Sequence, residues 1–117
     1  MMYNYKTFDT SQLEFLSVAT VDELGNGERI ILDIGGETIA LFNIAGKYLA
    51  IADVCSHDDG PVAEGELFDH EIACPRHGAR FDLQTGKALS LPAVIDIPAY
   101  PVRIEGNDIL IGLPREE

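Results

Sequence analysis

Cysteine is nearly absent from this chain: Cys55 and Cys74 are the only two. So small a number argues against a disulfide framework and turns attention to what else a pair of thiols can do. Basic residues are scarce too, with eight Lys and Arg against twenty Asp and Glu, a formal net charge of −12. No nucleic-acid partner is expected, because phosphate backbones select basic faces. An acidic surface suits solubility and docking to a basic partner. No apolar run approaches the roughly 20 residues needed to cross a bilayer, so no membrane association is expected. The opening segment MMYNYKTFDT has neither the basic nor the apolar block of a secretory signal, and the expected location is cytoplasmic. Long helical periodicity, internal repeats and low-complexity segments are missing as well.

What recurs instead is short alternating or β-branched runs broken by glycine turns. EFLSVATV (14–21) and ERIILDI (28–34) read as strands, with GNG (25–27) between them. GG at 35–36 turns the chain into ETIALFNI (37–44), and AG at 45–46 turns it into KYLAIADV (47–54). Beyond residue 55 the texture changes to glycine, proline and charge, where only HEIAC (70–74) and ARFDL (79–83) look extended. Strand texture returns in VIDIPAYPVRIEG (94–106), bent at Pro98 and Pro101, and NDILIGL (107–113) closes the pattern. TVDEL (20–24) has room for one helical turn and no more. The expectation is an all-β single domain over 1–117. A segment of about 55–92 is inserted into a basal β domain formed by 1–54 and 93–117.

Within that insertion lie CSHDDG (55–60) and CPRHGARFD (74–82). Each pairs one thiol with one imidazole: Cys55 with His57, and Cys74 with His77. Near neighbours on tight loops grip a metal centre with little ordering cost. The sixteen residues between the pairs hold a hairpin's worth of chain, enough to bring the two loops together. Gly60 and Gly78 stand where a loop tip needs positive φ or close backbone approach, and Pro61 and Pro75 stiffen the tips. Two thiolates and two imidazoles suit either a tetrahedral zinc ion or a [2Fe–2S] cluster with two cysteines on one iron and two histidines on the other. Common zinc modules segregate their ligands by type. Here the types are mixed within each half, as a cluster requires when each loop reaches both irons.

Cys55-x-His57 and Cys74-Pro75-Arg76-His77-Gly78 resemble the C-x-H…C-P-x-H-G pattern of Rieske [2Fe–2S] proteins, and FDLQTGKALSLPA (81–93) resembles the segment that follows it. The likeness is greatest to the small ferredoxins that serve bacterial aromatic-ring dioxygenases. It implies a Rieske fold, an antiparallel β-sandwich basal domain bearing a two-loop cluster-binding subdomain. One [2Fe–2S] cluster is implied, with Cys55 and Cys74 on the inner iron and His57 and His77 on the outer. SLPA (90–93) corresponds to the proline loop that covers the cluster. The implied partners are a flavin-containing ferredoxin reductase and a terminal oxygenase or related oxidoreductase, and the implied role is electron transfer rather than catalysis.

Measured against the respiratory branch of the same family, Gly60 and Arg76 replace two cysteines that clamp the cluster loops. Ala79 and Phe81 replace a serine and a tyrosine that donate hydrogen bonds to the cluster. A low reduction potential is therefore expected. His70 is expected on a surface strand without a ligand role. Asp58 and Asp59 are expected in a solvated loop, and Leu67, Phe68 and Phe81 beneath the cluster loops. Arg76 and Arg80 are left between balancing local acid and contacting a partner. Two other functions stay open on the residues alone: a zinc-stabilised interaction module, and a carrier or accessory factor in iron–sulfur assembly or nitrite reduction.

Overall fold

The computed structural model describes residues 10–34, 36–55, 60–76, 78–93 and 95–114. Within these residues, ten strands form three antiparallel sheets. The first sheet has the order β1–β10–β9, from β1 (Leu13–Thr20), β10 (Asp108–Pro114) and β9 (Val102–Glu105). The second has the order β2–β3–β4–β8, from β2 (Arg29–Ile34), β3 (Glu37–Ile44), β4 (Lys47–Ala52) and β8 (Ala99–Tyr100). The third has the order β5–β6–β7, from β5 (Leu67–Phe68), β6 (Glu71–Ala73) and β7 (Arg80–Asp82). Helical structure among the described residues is confined to 3-10 turns at Thr10–Gln12 and Val21–Glu23. In the second turn Glu23 Oε1 accepts hydrogen bonds from both the backbone N–H and the hydroxyl of Thr20. This is the single turn expected from TVDEL.

Turn chemistry sets the register of the second sheet. Ile44 pairs with Lys47, leaving Ala45 and Gly46 as a two-residue loop with φ of +54° and +86°. Positive φ at both centres matches the right-handed twist of the flanking strands. Ala45 bears the steric cost of that conformation, and two asparagines support it. Asn26 Oδ1 accepts the Ala45 N–H at 2.7 Å, and Asn43 Oδ1 accepts the Gly46 N–H at 2.9 Å.

The second sheet is covered on both faces, which explains why ALF and LAIA read as continuous rather than alternating apolar runs. Ile39, Leu41, Ala50 and Ala52 point to one side, where they pack with Ile109, Ile111 and Leu113 of the first sheet. Ala40, Phe42, Leu49 and Ile51 point to the other, where they pack with Ile72, Phe81, Leu83, Cys55 and Cys74. Alternation with a period of two therefore builds two cores from one sheet. The first and second sheets make the sandwich, and the small third sheet lies over the far face.

Two expectations need adjustment. Among the described residues, the extended texture over 94–106 is strand only at Ala99–Tyr100 and Val102–Glu105. Prolines break it: β8 pairs with β4, β9 pairs with β10, and Pro101 is where the chain changes sheets. His70 lies in the turn between β5 and β6 rather than in a strand. Phe68 pairs with Glu71 across Asp69 and His70, and Asp69 takes a φ of +55°. The carbonyl of His70 accepts the Leu83 N–H at 2.7 Å, so this residue serves the fold through its backbone.

Candidate metal centre

Cys55 follows the end of β4, and Cys74 follows the end of β6. Both side chains are buried within the core that backs the third sheet, and neither is in a disulfide. The backbone closes around each cysteine in the same way. Cys55 N–H donates to the Gly60 carbonyl at 2.7 Å, and Cys74 N–H donates to the Ala79 carbonyl at 2.7 Å. Each cysteine thus opens a loop that closes five residues later, and the two loops hold their thiols at equivalent positions. His57 falls within the first of these spans and His77 within the second, but both lie outside the described residues, as do Asp58 and Asp59.

The first loop is anchored at its base. At the end of β4, Asp53 Oδ1 accepts the N–H groups of Val62 and Ala63, each at 2.8 Å. Arg29 reaches across from β2, and its Nη1 donates to the carbonyls of Ala63 at 2.6 Å and Gly65 at 2.7 Å. A Cβ at Gly65 would stand 1.8 Å from the Ala73 carbonyl oxygen, so only glycine lets β6 pass this close. The second loop is tightened by a Gly78 N–H bond to the Cys74 carbonyl at 2.9 Å, with Gly78 at a φ of +75°. Of the two glycines expected at loop tips, Gly78 takes the positive φ. Gly60 is instead the floor under a side chain: a Cβ there would meet the guanidinium of Arg76.

The segment over 88–93 is pinned beside β7. Leu89 N–H donates to the Arg80 carbonyl at 2.8 Å, and Arg80 N–H donates to Ser90 Oγ at 3.0 Å. The Leu91–Pro92 peptide bond is cis. Leu91 itself is exposed, while Ala93 is buried in the same core as the two cysteines. Arg80 is engaged within the chain. Its guanidinium stacks 4.0 Å from the Phe68 ring centroid and pairs with Glu71 at 3.5 Å. Phe81 is buried with the cysteines as expected, and Leu67 packs against the same core.

Asp53 and Arg29 are the structural residues that sequence reading missed. Asp53 left a faint signal, a lone carboxylate closing an apolar strand two residues ahead of Cys55. Arg29 left none, since its targets are carbonyls more than thirty positions away.

The donor set fits an iron–sulfur centre. A fully buried thiolate with no counter-charge is costly, and a buried thiol pair that forms no disulfide is either inert filling or a metal site. Soft sulfur donors at equivalent places in two matched loops suit iron and sulfide.

Comparison with known proteins bears on the same point. The family model for the Rieske [2Fe–2S] domain matches residues 14–101. The chain is 45% identical over 98 residues to the 3-phenylpropionate/cinnamic acid dioxygenase ferredoxin subunit of Shigella boydii, covering 83% of this chain and 92% of that one. Among solved structures it superposes on the ferredoxin of carbazole 1,9a-dioxygenase from Nocardioides aromaticivorans with a TM-score of 0.80 at 33% identity, covering 86% of this chain and 98% of that one. The terminal oxygenase of the same system also matches, with a TM-score of 0.80 at 28% identity, but only over 33% of its length. The zinc alternative therefore gives way to a cluster, and the relatives matched along nearly their whole length are ferredoxins. This chain belongs to the Rieske [2Fe–2S] domain family, as a ferredoxin-type electron carrier with one such cluster.

Proposed function

We propose that this protein takes single electrons from a flavin-containing reductase and delivers them to the terminal oxygenase of an aromatic-ring dioxygenase system in the cytoplasm. Cys55, His57, Cys74 and His77 hold the cluster in this reading, with the cysteines on the inner iron and the histidines on the outer. The cluster-binding subdomain spans about 55–92 of a single domain over 1–117. When bound, the cluster supplies a one-electron redox couple. The chain supplies everything else. The core around Cys55 and Cys74 excludes water from the sulfur side, and Asp53 and Arg29 hold the base of the first loop against the second sheet. Rigid support of this kind limits reorganisation when an electron arrives.

The observation that carries this proposal is the equivalent closure of the two cysteine loops, Cys55 to Gly60 and Cys74 to Ala79. The named relative belongs to a dioxygenase system, which favours oxygenase service over iron–sulfur assembly or nitrite reduction. Replacing His57 or Cys74 with alanine tests the ligand set. The expected outcome is loss of the visible absorption and of stoichiometric iron and acid-labile sulfide. An unchanged iron spectrum in either variant refutes the assignment. Delivery is tested by mixing the reduced protein anaerobically with a terminal oxygenase, where one electron per carrier is expected to transfer.

A further inference from the structure

No disulfide ties the two cysteine loops together. A side chain nevertheless joins them. Arg76 sits in the turn after Cys74, and its Nη1 donates at 2.8 Å to the carbonyl of Pro61, the residue next to the first loop's closure at Gly60. The same guanidinium rests on Gly60. A Cβ built there would stand 2.7 Å from Nη2 and 2.8 Å from Cζ, closer than real Cβ contacts occur. Gly60 is not among the glycines with positive φ, so its backbone has no need of glycine. Space for the guanidinium is what the missing side chain provides.

The two ends of this contact matter. On one side, the Gly60 carbonyl closes the loop of Cys55 at 2.7 Å. On the other, Arg76 belongs to the turn fixed by the bond between Gly78 N–H and the Cys74 carbonyl at 2.9 Å. A planar cation with several donors on a rigid fork can lie flat on one residue while bonding to the next. We propose that Arg76 is a positioning residue: received by Gly60 and bonded to Pro61, it locks the spacing of the two cysteine loops and so retains the iron–sulfur centre. The proposal rests on Cys55 and Cys74 being ligands, as proposed above.

The test uses loaded wild-type protein and the variants R76A, G60A, R76K and R76A/G60A. Bleaching of the visible absorption is followed under an excess of iron chelator, with the reduction potential measured on each. R76A and G60A are each expected to accelerate bleaching by about three- to tenfold, the range of one hydrogen-bonded contact. G60A keeps the charge of Arg76 and displaces only its seat, so it separates locking from electrostatics. The double variant is expected to bleach no faster than the faster single one, because both changes remove the same contact. R76K is expected to hold its potential near the wild-type value yet bleach as R76A does, since an ammonium keeps the charge but not the flat fork. Wild-type bleaching by G60A, or effects that multiply in the double variant, would overturn the lock. Failure of the ligand assignment reads differently, as iron absorption that survives Cys74→Ala.

Discussion

Ala79 and Phe81 are fully buried beside the cysteines, and neither side chain can donate a hydrogen bond. A donor aimed at a cluster stabilises the charge gained on reduction, so its absence lowers the potential. Charge-directed hydrogen bonds of roughly 1.5–3 kcal/mol convert to about 60–130 mV each for a one-electron couple. The paired substitution Ala79→Ser with Phe81→Tyr is therefore expected to raise the potential by on the order of 100 mV, read by spectroelectrochemistry. An unmoved potential would show that these two positions do not set it. Arg76 belongs to the same scale. Its sequence position left open whether it balances acid or meets a partner, and the structure shows it reaching from one loop to the other.

The elements that support the site depend on close backbone approach. Gly65 lets β6 pass, with the Ala73 carbonyl 1.8 Å from where a Cβ would lie. Gly65→Ala must move backbone rather than a pliable side chain, and is expected to destabilise the fold by about 3 kcal/mol, seen as a lower denaturant midpoint. Retention of wild-type stability would mean that the 62–66 segment and β6 are not tightly coupled. Most strands were legible because they are bounded by turn residues, as with Ala45–Gly46 between β3 and β4. Less was legible where tertiary context decides. β5 is only Leu67–Phe68, too short to show alternation, and pairing with Ile72 and Glu71 makes it a strand. In 94–106 the apolar run suggested strand bent at Pro98 and Pro101, and its strands are shorter than that run. Prolines and the change of sheet at Pro101 divided it, with Ile97 held by the Gly86 carbonyl. The candidate site showed the opposite balance. Its four ligand candidates stood out by residue type and spacing, whereas the Asp53 and Arg29 supports are long-range hydrogen bonds that no local pattern records.

At the scale of the whole molecule, a formal charge of −12 surrounds a single redox centre. Exposed Glu64 and Glu66 follow the first cysteine loop, and exposed Asp69 lies in the next turn. Such a field draws a carrier to a basic docking face and is screened within about 8 Å at physiological ionic strength. The second-order rate of electron delivery to a terminal oxygenase is expected to fall severalfold between low and physiological salt. A rate indifferent to salt would remove charge from the recognition step. Beneath that outer behaviour stands one claim, that two matched loops hold paired irons with sulfur donors on one and imidazole donors on the other. Electron paramagnetic resonance of the dithionite-reduced protein tests it directly. The predicted result is the spin-one-half signal of a [2Fe–2S] centre carrying magnetic coupling to two imidazole nitrogens. A silent protein that contains zinc, or a cluster signal without nitrogen coupling, would contradict it.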